Sequence, residues 1–168
     1  MIIDVLVGDI TSPENPHDII IGMNADLIDV TGIGRHFVKD IFPMKSLDLG
    51  SVISFNFDKK RKLHMIICHT IGSGGWTRAA DHIRYGMDYL EHFNDESRTY
   101  SIVQIGKGRV GQRDGANSAA IHTAMSTSHL PVTLFVFDNT QQQAIEQRVP
   151  LHIVSAWNPV SGAIPLAA

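Results

Sequence analysis

The chain has 168 residues, 43% of them hydrophobic and 18% charged, with a formal net charge of −3. That length suits one domain with a sizeable core, and the acidic balance argues against a protein that grips a nucleic-acid backbone through a basic face. A single cysteine, Cys68, excludes an internal disulfide framework and fits a reducing, cytoplasmic setting. The opening run MIIDVLVG lacks a basic start and is interrupted by Asp4, so it reads as no secretory leader. No apolar stretch reaches the roughly 20 residues of a membrane helix.

Ile2 to Val7 is short, apolar and β-branched, and reads as a strand. TSPENPH, Thr11 to His17, is dense in turn formers and reads as loop. Ile19 to Ile21 is an unbroken apolar run, the mark of a central strand covered on both faces. Gly32 to Phe42 is predicted helical, with Phe37, Val38 and Ile41 on one face and Pro43 just beyond its end. Gly50–Phe57 and Leu63–Thr70 read as a strand pair joined by DKKRK, Asp58 to Lys62. That basic run reads as a solvated hairpin tip.

IGSGG, Ile71 to Gly75, links into the clearest helix, Thr77 to Phe93. Its apolar stripe is Ala80, Ile83, Met87, Leu90 and Phe93, with Asp81, Arg84, Asp88 and Glu91 on the opposite side. Tyr100 to Ile105 is the next strand, followed by the glycine-rich turn Gly106–Gly115 and a small-residue helix, Ala116 to Met125. Leu130–Phe137 is a strand, Thr140 can cap a helix Gln141–Arg148, and Leu151–Trp157 is a final strand. The uncharged tail, residues 158–168, is expected to pack along a surface. The order β-β-α-β-β-α-β-α-β-α-β implies a three-layer α/β/α fold with a mixed, mostly parallel sheet, in which Gly50–Thr70 is the antiparallel hairpin. No repeat or linker divides residues 1–168, which read as a single domain.

Ligands of open α/β sheets bind beyond the carboxyl ends of the strands. Three loops qualify: Gly8–Thr11, Met23–Arg35 and Gly106–Gly115. Glycine lets backbone come close to a ligand, and a helix start offers oriented N–H groups to phosphate. Two such loops can clamp a diphosphate, and an acidic residue at a separate strand end, Asp9, suits an adenine amino group or a ribose hydroxyl. GKGRVG is neither the phosphate loop of nucleotide triphosphatases, since no Gly-Lys-Ser/Thr follows, nor the dinucleotide fingerprint, which follows the first strand. The nine histidines include no HExxH, and one cysteine makes no Cys-x-x-Cys, so no metal site is read. Trp76 and Trp157 read as core anchors, and Cys68 as a small hydrophobe.

GDIT (Gly8 to Thr11), an apolar strand leading to Asn24, and a Gly-x-Gly turn into a helix together resemble a macrodomain. YSIVQIGKGRVG is similar to that family's strand and second phosphate loop, and LFVFD (Leu134 to Asp138) to the strand after it. The resemblance covers roughly residues 1–148 and is nearest to the compact branch that removes ADP-ribose from acidic side chains. It implies ADP-ribose, or a derivative such as ADP-ribosylated protein, as the ligand, with no cofactor, no metal and no membrane or nucleic-acid partner; oligomeric state stays open.

On that resemblance Asp9 accepts from the adenine amino group with Ile10 supporting the ring. Gly32, Ile33 and Gly34 present backbone to one phosphate. Gly106, Gly108, Arg109, Val110 and Gly111 wrap the other phosphate and the distal ribose. Asn24 faces the distal ribose, and Phe137 or Asp138 lies near the adenine edge. Hydrolytic members of the branch carry a Lys after the central hairpin strand and an Asp in the second phosphate loop. Here the first region reads CHTIGSGG and the loop position falls near Val110, with Asp114 four residues on. His69 and Asp114 are then the nearest candidates for a base. The resemblance leaves open a reader, a hydrolase of ADP-ribosyl esters or ADP-ribose 1″-phosphate, and a structural or oligomer-forming module with a degenerate pocket.

Overall fold

The computed structural model describes residues 1–28, 33–34, 47–94, 97–136, 153–157 and 159. The expected helix Gly32–Phe42, apart from Ile33 and Gly34, and the expected helix Gln141–Arg148, with Thr140, lie outside these residues, as do Gly32, Phe137, Asp138 and most of the tail.

Among the described residues seven strands form one sheet: β1 (Ile2–Val7), β2 (Asp18–Asn24), β3 (Val52–Asn56), β4 (Lys62–His69), β5 (Tyr100–Val103), β6 (Val132–Val136) and β7 (Ile153–Trp157). Their spatial order is β1-β6-β5-β2-β4-β3-β7. β1–β6, β6–β5, β5–β2 and β2–β4 are parallel. β3 runs antiparallel to β4, as the hairpin reading expected, and β7 adds a second antiparallel pair on the far side of β3.

The period-two alternation of β4 decides which side chain faces which layer. Leu63, Met65 and Ile67 join Ile19, Ile21, Met23, Ile53 and Phe55 on one face, covered by Ile10, Leu27, Ile33 and Leu47. Ile66 and Cys68 face the other way with Ile20, Val52 and Ile102. That face is covered by α1 (Ala79–His92) and α3 (Ser118–Thr127) through Ile83, Met87, Leu90, Ile121 and Met125. Burying both faces explains why Ile19–Ile21 of β2 reads as a continuous apolar run.

Three expectations change in detail. Phe93, placed on the buried stripe of α1, is 61% exposed: the helix ends at His92, and the Phe93 ring leans on Tyr89 at 4.9 Å. The stretch read as glycine turn plus one helix is two helices. α2 (Arg109–Asp114) stops at Gly115, which adopts φ 82°, and α3 begins only after Asn117, whose side chain accepts from Ala120 N. The third is Arg61: Asp58, Lys59 and Lys60 are exposed as a solvated tip requires, but Arg61 is 5% exposed and points inward.

Candidate functional site

Because β1, β6, β5, β2 and β4 are parallel, their carboxyl ends share one edge of the sheet. Along that edge, from β1 to β4, stand Asp9, the loop from Gly106 to Gly111, Asn24 and His69. Four inter-strand spacings of about 4.8 Å make this row about 19 Å long.

At the β1 end, Gly8 N donates to Val136 O, which keeps the chain on β6 as it leaves the strand. Asp9 then folds back on its own loop: Oδ1 accepts from Thr11 N at 2.8 Å and from Thr11 Oγ1 at 2.6 Å. Among the described residues Oδ2 accepts nothing. The carboxylate is thus oriented through one oxygen. Ile10 beneath it is 2% exposed and belongs to the core, with its carbonyl held by Asn15 Nδ2 at 2.8 Å.

In the middle of the row, the second glycine loop is compact for steric reasons. Gly106 has φ 88°, and a Cβ there would stand 2.8 Å from Ile121 Cδ1. A Cβ on Gly111 would stand 2.3 Å from the Gly106 carbonyl oxygen, so α2 can lie against that loop only as glycine. Gly108 is extended at φ −76°, ψ 179° and open around its Cα. Arg109 is exposed and Val110 half-buried in the first turn of α2. Gly34 is buried, and the Ile33 side chain lies in the core at 7% exposure, leaving backbone as what this pair can present.

Asn24 sits where the β2–β4 register slips, so that it pairs with His69. Its Oδ1 accepts from Asp26 N and Ile28 N, and its Nδ2 donates to Ile28 O at 2.7 Å. The amide therefore closes its own turn, around Leu27 at φ 58°, and keeps one Nδ2 hydrogen for any further contact.

His69 is 6% exposed and stacks on Trp76 with ring centroids 3.7 Å apart and planes 16° from parallel. Burial lowers its imidazole to about 4, with the Asp114 charge opposing only in part. Asp114 accepts from Arg113 Nε at 2.8 Å and from Gly72 N at 2.9 Å. The Arg113 hydrogen bond, then that of Gly72, holds its carboxyl at about 2. The two are brought to one neighbourhood, but each is a weak base at neutral pH, where general-base catalysis favours a group poised near the working pH. Burial drives the adjacent Cys68 thiol up to about 12, which removes it as a nucleophile.

Trp76, read from sequence as a core anchor, is 7% exposed, and its ring edge lies 3.5 Å from where a Gly106 Cβ would be. It joins the loop after β4 to the second glycine loop. Its Nε1 is buried with no hydrogen-bond partner among the described residues. The contact with Gly106 has no local sequence signal, because the two residues are 30 apart in the chain.

No helix among the described residues is long and apolar enough to cross a membrane. No family model matches the sequence, and no curated protein matches it. Solved structures do. A protein of unknown function from Bacteroides thetaiotaomicron superposes with TM-score 0.59 at 15% identity, over 79% of this chain and 98% of that one. A macrodomain protein from Streptomyces coelicolor gives 0.56 at 14% identity, over 80% and 98%. The Oceanobacillus iheyensis macrodomain with ADP gives 0.55 at 16%, over 85% and 86%; a mutant of it with ADPR gives 0.55 at 17%, over 85% and 88%. With its mixed, mostly parallel sheet covered on both faces, this chain has a macrodomain-like fold.

Proposed function

We propose that this protein binds ADP-ribose, or a compound carrying it such as an ADP-ribosylated protein, along the carboxyl edge of β1, β6, β5, β2 and β4. The observation that carries the reading is the Asp9 carboxylate, steadied through Oδ1 by Thr11 and with Oδ2 unpartnered among the described residues, at one end of a row whose middle is the Gly106–Gly111 loop. Adenine donates its amino hydrogen to Oδ2. Backbone of Ile33–Gly34 and of Gly106–Gly111 meets the two phosphates, and the distal ribose lies toward Asn24, His69 and Trp76. Backbone dipoles let a net-negative chain hold a diphosphate. The fold shared with a macrodomain bound to ADP and to ADPR supports the choice of ligand. Residues 1–168 act as one binding domain, and buried Cys68 suits a reducing, cytoplasmic setting.

Binding without turnover is the preferred form of this function. The Lys and loop Asp of hydrolytic relatives are missing, and the nearest substitutes, His69 at about 4 and Asp114 at about 2, are poor bases. Calorimetry with ADP-ribose tests the reading. Wild-type protein should bind, and Asp9→Ala should weaken binding by tenfold or more, roughly the loss of one hydrogen bond to a charged acceptor. No binding by the wild type overturns the function, and undiminished binding by Asp9→Ala overturns the role of Asp9.

A further inference from the structure

Arg61 lies in the β3–β4 hairpin, far in sequence from the loop that follows β1, yet its guanidinium is divided between that loop and Asp58. Nη1 donates to Ser12 O at 2.8 Å and Asn15 O at 3.1 Å, and Nη2 donates to Thr11 O at 3.3 Å. The remaining side of the fork is held by Asp58: Nε donates to Oδ2 at 2.9 Å, and Nη2 lies 2.7 Å from the same oxygen. The Asp58 carboxylate is itself fixed by the N–H groups of Lys60 and Arg61, and the Phe57 ring backs the guanidinium at 4.9 Å. Four hydrogen bonds and a close ion pair thus hold the guanidinium, a pattern that the three donors of a lysine cannot reproduce.

Two of the three residues that Arg61 grips by their carbonyls, Thr11 and Ser12, are the ones that hold Asp9. Thr11 supplies both hydrogen bonds to Asp9 Oδ1, and Ser12 N donates to Asp9 O at 3.0 Å. Asn15, the third carbonyl, ties the loop to the sheet through Ile10 O and Ser101 Oγ.

We propose that Arg61 is a positioning residue for Asp9, setting the direction of Oδ2 and with it the selectivity of the site for a base bearing an exocyclic amino group. The inference rests on the ADP-ribose reading above. Without the Arg61 clamp the loop keeps its residues but loses the fixed angle of the carboxylate. Affinity for adenine then falls toward that for hypoxanthine, which carries a carbonyl in place of the amino group.

The experiment measures calorimetric affinity for ADP-ribose and for inosine diphosphate ribose with wild type, Arg61→Lys and Asp58→Asn. Asp58 is exposed at the hairpin tip, so the second variant keeps the test open should Arg61→Lys fold poorly. General loosening of the fold lowers both affinities together, whereas loss of positioning lowers their ratio. The wild type should prefer ADP-ribose, Arg61→Lys should reduce that preference by about tenfold, and Asp58→Asn should reduce it less. A wild-type ratio in folded Arg61→Lys, or in folded Asp58→Asn where Arg61→Lys fails to fold, overturns the positioning role while leaving the ligand assignment standing. Failure of the wild type to bind ADP-ribose overturns both.

Discussion

His64 and Asp18 meet at 2.9 Å, Nε2 to Oδ2, with the two residues 4% and 3% exposed. Asp18 Oδ1 also accepts from Lys62 N and Arg98 Nη1, which keeps the carboxylate ionised. An ionised acceptor places the imidazole hydrogen on Nε2, so Ser54 Oγ donates to Nδ1, 2.7 Å away. The group resembles a hydrolytic triad in composition only. It lies at the amino end of β2, away from the glycine loops, and its hydroxyl is buried.

The first prediction concerns pH. Burial holds His64 below the ordinary imidazole range despite Asp18, and it takes His69 to about 4. Below about 6.5 the unfolded chain takes up protons that the folded one refuses, so stability falls as pH drops through that value and goes on falling toward the folded-state values. For Asp18, burial pushes the carboxyl up, but His64, the Lys62 N–H and Arg98 outweigh it and hold it below its usual value. Its contribution is present above the ordinary carboxylate range and is lost as pH falls through the lowered folded value. Urea midpoints measured from pH 8 to pH 4 should decline steadily; a midpoint that rises on acidification contradicts a neutral His64.

Glycine spacing around α2 supplies the second. A Cβ on Gly111 would press on the Gly106 carbonyl oxygen and carbon, both backbone, so no side-chain rotation relieves it. Gly111→Ala should cost about 2 kcal/mol or more in thermal or urea unfolding and weaken ADP-ribose binding. Gly108→Ala, with nothing within 4 Å, should stay within about 1 kcal/mol of wild type. Equal effects of the two substitutions would mean that the loop is not packed as described.

Turnover gives the third. With His69 at about 4 and Asp114 at about 2, neither changes charge between pH 5.5 and pH 8. Incubation with ADP-ribosyl esters and with ADP-ribose 1″-phosphate should yield no product. Any residual rate should have a flat pH profile over that range. A limb near 6.5 that disappears in His69→Ala would identify a catalytic imidazole and displace the binding-only reading.

Thiol chemistry gives the fourth. Cys68 is fully buried and its thiol is pushed up to about 12. A chromogenic disulfide reagent should leave the native protein unmodified for as long as it remains folded and titrate one thiol after denaturation. Rapid native labelling would show that β4 opens at its carboxyl end.

Periodicity by itself determined much of the frame. Ile19–Ile21 read as a strand covered on both faces, LHMIICHT as a strand, and Ile83, Met87 and Leu90 as one buried helical stripe. GDIT and GKGRVG were legible as loops after strands, and the parallel topology then set Asp9, the second glycine loop, Asn24 and His69 on one edge. What tertiary structure decided were the contacts that no local pattern encodes. The Trp76 ring lies against Gly106, and Asn15 Nδ2 donates to Ser101 Oγ on β5. Arg61 shows the reason most plainly. A basic hairpin tip is hydrated unless something nearby offers acceptors, and the acceptors here are backbone carbonyls of a loop up to 50 residues earlier. Residue type and spacing report the preferences of a segment, whereas burial of a charge depends on which carbonyls the fold brings beside it.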